Sequence, residues 1–157
     1  MLEEEVNEFS KIYINKSLEM MRNKLGIKGG VEEDSLLIKE LLTWMQNNKA
    51  DYTNTFVSIM NETFDQPVYQ DQAFQEWYKK LRIRKPNRET MRKNNPLVIP
   101  RNYQVEDSLK LAHEGNFESV ASLLSVLRNP YNNSNNIKQF QDPGPASSIP
   151  YQTFCGT

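Results

Sequence analysis

The chain has 157 residues, of which 38% are hydrophobic, and a mean hydropathy of −0.72. That is long enough for one domain with its own core, yet lean beside the roughly 45–50% apolar content of ordinary globular domains, as expected of a piece that packs on a neighbour or of a helical adaptor with a large wet surface. With 19 Lys and Arg against 20 Asp and Glu, no net field favours nucleic acid or an anionic membrane, and apolar runs such as Leu36-Leu37-Ile38 fall far short of the ~20 residues that cross a bilayer.

In chain order, Leu2, Val6, Phe9, Tyr13, Met20 and Leu25 recur near a 3.6-residue spacing and predict one face of a long helix that stops at Gly26. Gly29-Gly30 breaks the chain, and Asp34 or Ser35 is expected to cap a second helix carrying Leu37, Leu41, Trp44 and Met45 and ending near Asn47-Asn48. Asp51 or Thr53 is placed to cap a third, with Tyr52, Phe56, Ile59 and Met60 on its apolar face. After Pro67, the residues Phe74, Trp77, Tyr78 and Leu81 mark a fourth helix that must end before Pro86. A short helix over about 87–93 follows.

Two prolines in the six residues 95–100 read as an extended connector. Beyond it Val105, Leu109 and Ala112 predict a helix closed by Gly115, and Asn116 caps another lined by Val120, Leu123, Leu124 and Leu127. From 129 the chain turns rich in Asn, Ser and Pro, so it is expected to be disordered or laid extended over another surface. Nothing alternates as a strand does. The fold class is therefore all-α: an irregular bundle of about five to seven helices with a C-terminal helix-turn-helix pair and a long irregular tail. The divisions are 1–94 for a helical subdomain, 95–103 for the connector, 104–128 for the helix pair and 129–157 for the tail. Trp44, Phe56, Trp77 and Leu124 are expected to be largely buried.

Material for catalysis is sparse. The glycine cluster Gly26-Ile27-Lys28-Gly29-Gly30 fits neither the P-loop nor the kinase glycine loop and reads as a helix stop. His113 is the sole histidine and sits near a predicted helix C-terminus, where a cation is mildly favoured. Glu32, Glu33 and Asp34 precede a helix and read as capping charge rather than a metal set. The segment 79–93 holds Lys79, Lys80, Arg82, Arg84, Lys85, Arg88, Arg92 and Lys93 against Glu89 alone. Beside Trp77 and Tyr78 such a cluster can meet phosphates, but a solvated face or a dock for an acidic surface is the favoured reading, so nucleic acid is not expected as a partner. No catalytic, cofactor-binding or metal-binding residue is assigned. The acidic start Met-Leu-Glu-Glu-Glu does not resemble a secretory signal, and the lone Cys155 cannot form an intrachain disulfide. Both point to a cytoplasmic protein with no membrane partner.

Read in order, Met21-Arg22-Asn23-Lys24-Leu25-Gly26, Glu33-Asp34-Ser35-Leu36-Leu37, Asp51-Tyr52-Thr53-Asn54-Thr55-Phe56, Asn95-Pro96 with Pro100-Arg101-Asn102-Tyr103, Glu114-Gly115-Asn116-Phe117, the stretch from Leu123 to Tyr131, and Thr153-Phe154-Cys155-Gly156-Thr157 together resemble the C-terminal region of the selenoprotein O family. The resemblance implies a parent enzyme with a kinase-like fold that transfers AMP from ATP, with Mg or Mn, to protein hydroxyl groups. The nucleotide-binding lysine, metal-binding acids and catalytic loop of that family lie in a part preceding this chain, so the chain itself is expected to be non-catalytic. It would brace the kinase-like core, its partner together with the parent's protein substrates. The family carries cysteine or selenocysteine close to its C-terminus, which makes Cys155 a candidate redox residue by resemblance. The alternative from the residues alone is a freestanding helical adaptor for a protein partner.

Overall fold

A computed structural model describes residues 2–29, 32–132 and 137–144. Within them the chain forms α1 (Leu2–Leu25), α2 (Glu33–Asn47), α3 (Tyr52–Asn61), a 3₁₀ turn (Pro67–Gln70), α4 (Gln72–Ile83), α5 (Arg88–Asn94), α6 (Asn102–His113), α7 (Glu118–Leu127) and the short α8 (Lys138–Gln141). No strand occurs among the described residues. The all-α reading holds, including the α6–α7 pair.

Local chemistry sets the helix ends. Asp51 accepts the Asn54 N–H at 2.8 Å and starts α3, Asp71 accepts the Phe74 N–H and starts α4, and Asn87 accepts the Thr90 N–H and starts α5. Asn116 accepts the Glu118 N–H at the head of α7. α1 ends as expected because Gly26 adopts φ +65°, a left-handed conformation that costs a residue with a Cβ about 1–2 kcal/mol. Gly26 also lets two helices meet: its carbonyl accepts the Asn87 N–H at 2.7 Å, and a Cβ there would strike the Asn87 backbone and the Met91 side chain.

The main core lies among α1 to α5. Phe74, wholly buried, packs its ring against Trp44, Tyr69, Phe64 and Trp77 at centroid distances of 4.6, 5.1, 5.3 and 5.8 Å. Such offset and edge-on contacts each add about 0.5–1.5 kcal/mol beyond area burial. Both indoles satisfy their donors, Trp77 to the Leu37 carbonyl at 2.8 Å and Trp44 to the Asp71 carboxylate at 2.7 Å. Trp44, Phe56 and Trp77 are buried as expected.

One ion-pair node ties three helices together. The Asp34 carboxylate has no exposure; Arg22 of α1 donates to it from Nε at 2.8 Å, and Arg84, the residue capping the C-terminus of α4, donates to its other oxygen. A second node joins α3 to the start of α6. There the Arg101 guanidinium engages both oxygens of Asp51 and also reaches Asn54 and the Gln141 carbonyl.

Several apolar faces differ from expectation. Leu25 is buried, but Val6, Phe9, Tyr13 and Met20 are exposed, because α1 packs into the core through Leu18, Met21 and Leu25 instead. Tyr52 is partly exposed beside Lys24. In the helix pair Ser108, not Leu109, faces inward, sharing a 2.8 Å hydrogen bond with Ser119. Leu124, expected to be buried, is 47% exposed, since Leu123 and Val126 turn the opposite side of α7 inward. α1 and α7 each carry more apolar residues than one contact face takes. Past 129 the chain is partly ordered over the body rather than featureless. Ile137 is buried, Asn54 donates to the Gln141 carbonyl, and Gln141 donates to the Leu97 carbonyl. In the proline-containing segment 95–100, Leu97 and Val98 join the core.

Replacing Asp34 by Ala leaves two arginines facing a buried void and should cost about 3–5 kcal/mol, lowering the midpoint of thermal unfolding by roughly ten degrees; an unchanged melting curve would remove the node from the account. Gly26→Ala should cost about 2–4 kcal/mol through its positive φ and the clash with α5, measurable as a lower urea midpoint. Burial alone would raise the Asp51 carboxyl, yet the Arg101 bonds and the Asn54 N–H hold it below the ordinary aspartate value. A depressed folded-state pKa means stabilisation present above the unfolded value of about 3.9 and lost as pH falls through the lower folded value. Acid titration of stability should therefore steepen below about pH 4 and be shallower in Asp51→Asn.

Candidate functional site

The residues that invite chemistry are mostly committed to packing. Of the acidic group, Glu32 and Glu33 are exposed and Asp34 lies inside the first turn of α2. The expected capping role is not what Asp34 performs: Glu32 occupies the N-cap position without a side-chain cap bond, and Ser35 donates to the Glu32 carbonyl. Asp34 is instead drawn inward by Arg22 and Arg84. Sequence reading missed this because nothing local distinguishes a buried carboxylate from a capping one when its partners lie 12 and 50 residues away.

Four cations of the basic segment 79–93 are engaged in ion pairs. Arg84 holds Asp34 and the Lys28 carbonyl, Lys80 spans to both oxygens of Glu40 at 2.9 and 3.0 Å, Arg88 pairs with Glu62, and Lys93 pairs with Glu89 at 2.7 Å. The bonds and charge of Arg88 draw the Glu62 carboxyl below its ordinary value, with Tyr78 donating to the same side chain. Lys80, Arg84 and Arg88 thus tie helices together while Lys93 pairs within α5, a use that differs from the solvated face or acidic dock expected of the segment.

Lys24, not singled out from the sequence, is the most chemically unusual cation. It sits over the Phe56 ring at 4.7 Å and the Tyr52 ring at 5.5 Å and donates to the Asn94 carbonyl at 3.3 Å. Burial lowers its pKa, and the ring faces favour the cation that remains. Its geometry joins α1, α3 and α5 and opens onto no reacting group. The nearest sequence signal was the neighbouring aromatic pair Tyr52 and Phe56, which reads equally as core.

Two surface clefts are wide enough for a side chain or short peptide. One, of about 570 Å³, runs between α2 and α4 past Trp44, Trp77, Lys39, Glu40, Asp71 and Lys80; another of like size lies beside α3 and α8, with Val57, Leu97 and Ile137 in its wall. The glycine loop at 26–29 lines a smaller cavity of about 350 Å³, which α5 approaches at Gly26 and the Arg22 side chain at Gly29. Among the described residues no three His, Cys, Asp or Glu side chains converge as a metal site, and none of the helices there is long and apolar enough to cross a membrane. His113 is the last residue of α6 and is exposed. Cys155 lies outside the described residues.

Among the described residues, α1 carries several exposed apolar side chains, Ile12 and Ile14 included. Val6, Phe9, Tyr13 and Met20 line the outer side of α1, with the Phe9 and Tyr13 rings stacked at 6.4 Å.

Similarity to known proteins runs along most of the chain. A family model described as protein adenylyltransferase SelO matches residues 1–128. A protein nucleotidyltransferase YdiU of Pelagibacter ubique is 41% identical over 163 aligned positions, covering 98% of this chain but 34% of the relative. Proteins of the same name from Clostridium perfringens and Nitrosococcus oceani are 41% and 40% identical, and cover 97% and 100% of this chain against 33% and 34% of their own length. The chain thus spans about a third of the curated relatives that it matches. With the family match running through seven of its helices, this chain belongs to the SelO family of protein adenylyltransferases.

Proposed function

We propose that this chain is the non-catalytic C-terminal helical portion of a longer protein adenylyltransferase and that it braces the kinase-like core of that enzyme. The observation that carries the reading is the coverage: the chain matches along nearly its whole length, but to only a third of proteins named as nucleotidyltransferases. The packing supports it. The glycine loop, the acidic group and the basic segment, which are the three places where phosphate or metal chemistry could have been sought, are used to hold helices together.

On this reading ATP and Mg or Mn bind in the other two thirds, in the cytoplasm, and the hydroxyl groups that accept AMP belong to protein substrates meeting the whole enzyme. The chain contributes shape and rigidity. Cys155 is the candidate redox residue, and any intramolecular disulfide it forms needs a partner in the core, since this chain holds no other cysteine.

The isolated chain should neither bind ATP with Mg or Mn measurably by titration calorimetry nor transfer label from α-labelled ATP to itself or to added protein, because it offers no phosphate cradle. Saturable binding together with AMP transfer would overturn the proposal.

A further inference from the structure

The most informative unexplained feature is that α1 has two apolar faces. At 100° per residue, Val6, Phe9, Tyr13 and Met20 lie about 120° around the helix from Leu18, Met21 and Leu25. The second set packs into the core of this chain; the first is exposed, Phe9 by 68% and Tyr13 by 63%. Its members follow the three- and four-residue steps of a helix-packing seam. The seam is interrupted at one turn by Lys16, which is held aside in an ion pair with Glu19 at 2.9 Å. Exposure extends beyond this stripe, since Ile12 and Ile14 are also exposed and Ile14 shares the azimuth of Leu18, Met21 and Leu25. The stripe is set apart by a preformed aromatic pair, the kind of side chain that anchors interfaces at low entropic cost.

We infer that this stripe is the docking surface for the remaining two thirds of the adenylyltransferase, an apolar surface of the core that receives Phe9 and Tyr13. The inference rests on the function proposed above and adds the contact that performs it. Three observations single out this occupant. The family match includes all of α1, so the helix belongs to the shared fold. About two thirds of each relative's length lies outside the matched part. The exposed stripe is also the part of α1 that makes the least use of this chain's own core, since the described side chains of α1 that pack on that core are Leu18, Met21 and Leu25.

The test compares the isolated chain with a full-length protein in which this chain replaces the matching last third of the Pelagibacter ubique relative. Both carry Cys155→Ser, and either Phe9→Cys or, as a control at another exposed apolar site, Leu109→Cys. Alkylation of the introduced thiol is followed by peptide mass spectrometry, and AMP transfer by the full-length protein is measured in parallel. Docking should slow labelling at position 9 by about tenfold or more in the full-length protein while position 109 changes by less than about twofold, since thiol labelling follows exposure. Equal labelling at position 9 in an active full-length protein would overturn the inference and leave the proposed function standing. Equal labelling in an inactive one would overturn both. Protection at position 9 already present in the isolated chain, with a dimer's mass, would assign the stripe to a second copy and also overturn the inference.

Discussion

A carboxylate with no solvent contact holds this fold in register. Asp34 sits in the first turn of α2 and takes one arginine from α1 and another from the end of α4. A lone buried charge would be prohibitively costly, so the three helices can close only with both guanidiniums in place. Once they do, α2 lies along α4, and Trp44, Phe74 and Trp77 are brought into one aromatic cluster. The helix C-terminus carrying Arg84 and the N-terminus carrying Asp34 also suit the dipoles at those ends.

Other polar contacts repeat the logic at lower stakes. Asp51 is both the cap of α3 and the acceptor of the Arg101 fork, so one side chain fixes a helix start and the approach of α6. Asp71 caps α4 and receives the Trp44 indole. Gly26 does the same with backbone, ending α1 while admitting α5. A chain lean in apolar residues thus gains order from groups that each satisfy two requirements. Each of these groups is engaged in packing, and α1 keeps exposed apolar residues.

Helix positions were legible because their signals are local. Gly26, Asp51, Asn116 and the prolines act within a turn of where they stand in sequence, and the structure places the helix ends beside them. Burial was less legible. Leu109 and Leu124 satisfy a helical period as well as Ser108 and Leu123 do, and only the partner helix decides which side turns inward. α1 is the extreme case, with two apolar sides and one core to receive them. The site residues were least legible: Asp34 and Arg84 are 50 positions apart, and their meeting depends on the whole bundle. The family resemblance carried what periodicity could not, because short stretches in order preserve a fold's identity even where no residue advertises a role.

The central claim is that a body centred on Asp34 holds together by itself, whereas the outer half of α1 depends on what it docks against. A helix without tertiary contacts is marginal at such lengths in water, whereas core amides open only with the whole domain. Native-state amide hydrogen exchange of the isolated chain tests both halves at once. The account predicts that amides within α2, α4 and residues 21–25 exchange only through global unfolding, and that amides of residues 6–16 exchange faster by orders of magnitude. Uniform protection along all of α1, or its absence from α2 and α4, would contradict it.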